Sequence, residues 1–396
     1  MNISRKSILL ALMTLLYLGS LFSQDITSNK FGKGVKIMAK DSSYSMKFST
    51  RIQNLFTAEM PLGVDDADIK AGMMVRRARL KFSGFAYSPK LKYKIELGLT
   101  NRDIGGSPIP EENNTSKVVL DAVGKWSFAR NFELWFGQTK LPGNRERVIS
   151  SQALQFVDRS LVNSKYNIDR DSGLQLRHNW SPGKSVIREI LSVSQGEGRN
   201  ITSGNKGGLD YTARVEYLPF GKFEGKGDYF SSDLKREEKP KLAIGITYDY
   251  NDNASRQNGN LKSFLQVERD LQTIFVDLMF KNKGWSVMAE YADKQAPAGS
   301  VVVMDSEGSI LESFYTGTGL NFQVGYLLKN NLEIAGRYTS ITPSSETNRS
   351  EITMYTLGIS RYLSGHNLKV QSDISLTEEG DDDETLLFRA QVEISF

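Results

Sequence analysis

From residue 44 onward the chain alternates apolar and polar side chains with a period of two. The runs last about ten residues, where strands of soluble domains average about five or six. In the last run Leu386, Phe388, Ala390, Val392, Ile394 and Phe396 share one face, and Leu387, Arg389, Gln391, Glu393 and Ser395 the other. Near the start Met46, Phe48 and Ile52 oppose Lys47, Arg51 and Gln53; Leu80 and Phe82 oppose Arg79 and Lys81; Tyr93, Ile95 and Leu97 oppose Lys92, Lys94 and Glu96. Both faces of such a sheet cannot be core. In a bilayer every backbone donor and acceptor must be satisfied without water, which a sheet achieves only by closing on itself. Lipid then meets the apolar face and a lumen keeps the charged one.

Sixteen such runs can be marked, the first at 44-57, then 72-87 and 90-100, later 240-251 and 268-281, the last at 384-396. Their connections alternate in length. Ser88-Pro89, Ala129-Arg130, Asn282-Lys283, Lys329-Asn330 and Ser364-Gly365 are tight, whereas 58-71, 101-116, 140-168, 196-207, 252-267, 295-315 and 341-349 are long. Short on one side and long on the other is the wiring of an up-and-down outer-membrane barrel, and an even strand number puts both termini on the short-turn side. One connection, 220-239, is long where a short turn is due. It reads either as a partly ordered periplasmic segment or as a strand count gone wrong. Tyr44, Tyr87, Trp126, Phe128, Trp180, Tyr217, Trp285, Tyr362 and Phe396 fall at run ends, as interfacial girdles require, although half-buried strands of any sheet also favour aromatics.

Residues 1-23 read as a secretory signal: Arg5 and Lys6 precede an apolar stretch from Ile8 to Leu18, and small residues follow. The expected organisation is then a periplasmic N-terminal segment over 24-43 and a transmembrane barrel over 44-396. Removing Arg5 and Lys6 from the 50 basic side chains leaves 48 against 46 acidic ones, a near-neutral balance that gives no reason to expect nucleic acid as a partner. A mean hydropathy of −0.37 is too polar for a helical membrane bundle. With no cysteine there is no disulfide, thiolate metal site or cysteine nucleophile. His178 and His366 lack a second ligand at metal spacing and read as surface or interface histidines, and no glycine-rich loop opens a helix, so neither a metal nor a cofactor is expected.

Residues 144-165 lose the period of two. Ile149, Ala153, Val157 and Leu161 recur at every fourth position, a helical stripe in the third long connection. Buried against the barrel wall, such a helix would narrow the channel and aim Arg145, Arg147 and Arg159 at a passing solute; an amphipathic stripe fits a helix on the outer surface as well.

The opening strands with Arg76-Arg77-Ala78-Arg79-Leu80, the loop Leu154-Gln155-Phe156-Val157-Asp158-Arg159-Ser160-Leu161 and the terminal Phe396 resemble the phosphate-selective porins (the O/P family) of Gram-negative outer membranes, particularly Bacteroidetes forms. The resemblance implies an all-β, sixteen-stranded antiparallel transmembrane barrel with a helical, in-folded third loop, usually a homotrimer embedded in outer-membrane lipid. It implies passive diffusion of small anionic solutes such as phosphate, and a terminal strand read by the barrel-assembly machinery. Its anion-binding positions fall on Arg145, Arg147 and Arg159 in the loop and on Lys47, Arg51, Arg77, Arg79, Lys81, Lys92 and Lys94 on the lumenal faces. Glu96, Glu216, Glu290, Glu333 and Glu393 face inward too, so pairing, for example Lys94 with Glu96 or Arg389 with Glu393, competes with solute contact at each basic residue. Two other functions compete with a porin: a barrel-based hydrolase, for which no serine stands in a recognisable motif beside His178, and an adhesin or structural barrel whose lumen is closed by matched charges.

Overall fold

The computed structural model describes residues 25–28, 30–63, 68–104, 117–202, 205–381 and 383–396. The stretch 1-23, expected as a signal peptide, lies outside the described residues. Sixteen antiparallel strands form the barrel. They are β1 (Tyr44–Leu62), β2 (Lys70–Ala86), β3 (Ser88–Gly98), β4 (Val119–Ala129), β5 (Phe132–Lys140) and β6 (Arg170–Trp180). There follow β7 (Val186–Ser194), β8 (Asp210–Leu218), β9 (Lys241–Arg256), β10 (Phe264–Asn282) and β11 (Trp285–Gln295). The last five are β12 (Gly317–Leu327), β13 (Leu332–Pro343), β14 (Ile352–Tyr362), β15 (Leu368–Glu379) and β16 (Asp383–Ser395). Each strand pairs with its sequence neighbours, and β16 returns to β1 with Ser395 opposite Arg51 and Glu384 opposite Leu62. The sheet is closed, so no edge faces lipid.

Burial is inverted relative to a soluble domain. Lys281, Lys294, Lys369, Glu290 and Glu393 are buried inside, while Ile246, Ile334, Leu357, Ile359 and Val392 are exposed outside. Trp126, Trp180, Tyr217, Trp285 and Phe396 are exposed at the short-turn end and make one aromatic girdle there. Tyr362 departs from the girdle expected of it: its ring is buried, and its hydroxyl donates to Glu333 at 2.6 Å.

Several strands outrun the alternation. β1 continues to Leu62 and β9 to Arg256, past Asn251-Asp252-Asn253, where both faces are polar, the period of two disappears and a bulge interrupts the pairing with β10 before it resumes at Ala254. Before the barrel, Asp25–Ser28 and Val35–Met38 form a hairpin, and the second of these strands pairs with β1 at Ser45 to Phe48. It continues the edge that β16 leaves at Phe396, which exchanges hydrogen bonds with Thr50.

The third long connection is not one amphipathic helix. It comprises a one-turn helix Arg145–Val148, a 3-10 turn Ser151–Ala153 and a helix Leu161–Tyr166, joined by extended residues. Ile149 leaves the helical region at ψ 135°, and the hydroxyls of Ser150 and Ser160 accept backbone N–H bonds that start new turns. Ile149, Ala153 and Val157 are nonetheless all buried, so the spacing marked a packed face made by successive turns. The connection 220-239 hides no missed strand: it holds a 3-10 element at Glu224–Tyr229, with Gly225 and Lys226 in the left-handed region.

Candidate functional site

The lumen is divided lengthwise. On one side the loop 141–169 and the 219–240 insert pack on the inner faces of β8 to β16. Ile149, Ala153 and Leu154 of the loop meet Phe223 and Phe230 of the insert together with Leu218, Ala243, Met279 and Met288 of the wall. Polar groups fix the same surfaces. Lys369 donates to the Leu154 carbonyl at 3.1 Å, Asp373 accepts from the Val157 N–H at 2.9 Å, and Glu290 accepts from the Glu146 N–H at 2.6 Å. Most of the inward carboxylates on this side are thereby engaged in holding backbone and cations.

The other side stays open as two cavities. The larger, about 880 Å³, runs from the loop to the short-turn end, and its lining carries thirteen lysines and arginines against five carboxylates. The smaller, about 330 Å³, opens toward the long loops and is lined by eight arginines and three aspartates. Arg79, Arg147, Arg159 and Arg170 border both, and so mark the constriction between them. A near-neutral chain thus acquires a strongly basic path by using its acids elsewhere.

Each constriction arginine has a fixed support. Arg79 binds Asp103 bidentately, at 2.7 and 2.5 Å, and Glu96 at 3.1 Å. Arg147 pairs with Asp169, and Arg170 with Asp121 at 3.3 Å. Arg159 is held by two loop carbonyls, Glu146 at 2.9 Å and Ile149 at 2.8 Å. Burial lowers the Arg159 guanidinium to about 10, with Glu146 opposing the shift, and it remains cationic at neutral pH. Above the constriction a bulge in β2 shifts the register between Gln53 and Asn54, and both Arg76 and Arg77 reach Asp158, at 3.0 and 3.2 Å. Burial opposes ionisation of Asp158, but Arg76, Arg77 and Arg389 outweigh it and hold the carboxyl well below its usual range.

Of the positions expected to face solute, Arg79, Lys81, Lys94, Arg147 and Arg159 line the larger cavity, and Arg77 lines the smaller. Four do otherwise. Arg145 is fully buried among Asp277 at 2.9 Å, Glu216 at 3.3 Å and Asp228 at 3.9 Å, because its one-turn helix turns it toward the wall. Arg51 anchors the loop through Ser151 at 2.9 Å. Lys47 and Lys92 are exposed and border neither cavity. Lys94 pairs with Glu96 as expected, at 2.8 Å, but Arg389 binds Asp373 at 2.6 Å rather than Glu393. Asp373 is its cross-strand partner, whereas Glu393 is four residues along the same strand, too far to touch.

Lys125, Arg177 and Arg188 also line the larger cavity, and the same alternation that marks the first strands places them inward. Trp135 lies between Lys125 and Arg177, with cations 3.4 and 3.8 Å from its ring. Arg76 and Arg170 follow no alternation, since one sits in a bulge and the other at a strand start next to the loop. His366, expected at a surface or interface, is buried between Phe230 and Tyr362.

The model of the family described as phosphate-selective porin O and P matches residues 48–386. The chain belongs to that porin family. It is a Gram-negative outer-membrane channel and not an enzyme. This porin is 24% identical over 409 residues to an uncharacterized protein of Aquifex aeolicus, across 96% of this chain and 93% of that one. Among solved structures it is similar to the trimer form of OmpT, an outer membrane protein of Vibrio cholerae (TM-score 0.53, 10% identity, 89% of this chain and 100% of the other). It is also similar to the anion-selective porin from Comamonas acidovorans (TM-score 0.53, 12% identity, 89% and 100%). A third is the outer membrane channel DcaP of Acinetobacter baumannii (TM-score 0.52, 13% identity, 91% and 99%). At these identities the three structures establish a shared barrel fold.

Proposed function

We propose that this porin conducts small anions, phosphate among them, by passive diffusion through the arginine-framed constriction, and that it assembles as a homotrimer. The observation that carries the reading is the bordering of both cavities by Arg79, Arg147, Arg159 and Arg170, which puts four guanidiniums beside any solute passing between them. A guanidinium fork donates two parallel hydrogen bonds to an oxyanion, and low-dielectric walls concentrate the field of such a cluster. Carboxylates or carbonyls behind each arginine keep its hold on a passing anion weak, and conduction needs several weak contacts rather than one tight one. The descriptions of the family as phosphate-selective and of the Comamonas relative as anion-selective support the same solute class, and the trimer form of Vibrio OmpT supports the assembly.

Single-channel recording in potassium chloride, with inorganic phosphate then added, tests this. Phosphate is expected to reduce the chloride current saturably. A current indifferent to phosphate removes phosphate from the solutes, and a cation-selective reversal potential overturns the anion reading altogether.

A further inference from the structure

Of the four tryptophans, Trp126, Trp180 and Trp285 stand in the outer girdle, and Trp135 alone points into the lumen. An indole there has no lipid to meet, and what lies on its ring is cationic: Lys125 Nζ at 3.4 Å and the Arg177 guanidinium at 3.8 Å. Glu133 stands directly opposite Arg177 in the sheet but is engaged elsewhere. Its carboxylate accepts from the Trp135 Nε1–H at 2.9 Å and from the Ser127 hydroxyl at 3.2 Å. Arg177 donates to Gln175 Oε1 at 2.8 Å, and among the described residues neither Arg177 nor Lys125 forms an ion pair. Arg79, Arg147 and Arg170 at the constriction each carry a carboxylate, whereas these two cations are held by an uncharged ring and keep their charge for a guest. The far wall of the same cavity is of another kind. Val148 of the loop and Phe223 and Phe230 of the insert line it, and its volume of about 880 Å³ exceeds by far what one phosphate needs. A hydrated inorganic anion draws on the cations alone, while an apolar body gains from leaving water against such a wall. An apolar surface with a few placed charges is the usual make-up of a site for an organic ligand.

We propose that the larger cavity is a subsite for aryl oxyanions, carboxylates or phosphonates carried on a flat apolar ring, with Lys125 and Arg177 taking the charged head while the ring lies against Trp135 and the apolar wall. The inference rests on the anion reading above and deepens it, by naming an organic solute class that inorganic phosphate does not represent. Trp135 has two tasks in it. Its faces keep the two cations side by side without neutralising them, and its edge offers apolar surface to the body of the solute. The contacts stay few, as conduction requires.

Phenylphosphonate and methylphosphonate share a head group and differ in the body, so their block of the chloride current through the full-length porin in a planar bilayer isolates the apolar contribution. Removing on the order of 50 Å² more apolar surface from water favours the phenyl compound by about eightfold. Phenylphosphonate is therefore expected to block at about one-eighth of the methylphosphonate concentration. In Trp135→Gln the two blocking concentrations are expected to come within about twofold of each other, and Trp135→Phe, which keeps a ring, should retain an intermediate preference. If the glutamine variant fails to fold, the comparison in the wild-type channel and in Trp135→Phe carries the test. Equal block by both phosphonates in the wild-type channel would overturn the subsite while leaving the anion reading intact, and an undiminished phenyl preference in Trp135→Gln would overturn the part assigned to the indole. A wild-type channel that neither compound blocks and that prefers cations would instead overturn the reading on which the inference rests.

Discussion

Replacing Arg145 with glutamine separates two tasks that arginines perform in this lumen. Arg145, Arg188 and Arg214 balance Glu216, Asp228 and Asp277 in one buried network, with contacts between 2.5 and 3.9 Å. Removing one cation leaves a buried carboxylate uncompensated, a change that costs about 3–5 kcal/mol. The lower end applies, because Arg188 and Arg214 still reach all three acids. Arg145→Gln should therefore lower the unfolding free energy by about 3 kcal/mol in urea titrations of the barrel in detergent micelles, and leave the reversal potential in a salt gradient unchanged. Arg159→Gln is the converse. A unit charge about 5 Å from a permeating anion in a water-like dielectric is worth about 0.8 kcal/mol, roughly fourfold in the permeability ratio. The glutamine amide keeps a donor for one of the two carbonyls, so the change costs about 1.5–3 kcal/mol of stability, the loss of one hydrogen bond from a charged donor. If Arg145→Gln shifted the reversal potential at full stability, or Arg159→Gln destabilised without touching selectivity, the division of the lumen into a packed and an open side would be wrong.

Asp158→Asn removes the shared counter-ion of Arg76, Arg77 and Arg389, and phosphate is expected to block the chloride current at lower concentration with noisier open-channel current; an unchanged blocking concentration would contradict the placement of this cluster in the path. His366 makes the stability of the barrel depend on pH. Burial, with the Lys369 and Lys281 ammoniums adding to it, pushes His366 well below the ordinary histidine value. The unfolded chain then takes up a proton that the folded turn refuses, so stability is full above about pH 6.5 and falls below it by up to about 1.4 kcal/mol per pH unit. His366→Phe keeps the ring contacts with Phe230 and Tyr362 and should flatten that loss between pH 7 and pH 5 in urea titrations; equal acid sensitivity in both proteins would reject it.

Much of the barrel is legible in the chain because lipid enforces one rule on every strand. The run 384-396 differs from the observed strand by one residue at each end, and 90-100 by two. Where strands leave the membrane, as at Asn251 to Arg256, the rule lapses and their ends are lost. The site is less legible. Period two separates lumen from lipid but does not say which lumenal face is open water and which lies under a loop. Arg145 and Arg147 are two residues apart in one helical turn, yet one is sealed in an ion network and the other borders both cavities. That difference depends on where β8 and β10 place Glu216 and Asp277, information spread over more than a hundred residues. The helical spacing of Ile149, Ala153 and Val157 misled for a related reason: successive capped turns reproduce it without a continuous helix.

The zero-current potential of the reconstituted wild-type channel across a tenfold potassium chloride gradient bears most directly on the claim that a basic path crosses this barrel. A potential of the sign set by chloride is the outcome this arrangement of Arg79, Arg147, Arg159 and Arg170 requires. A potential near zero, or of the sign set by potassium, would contradict it.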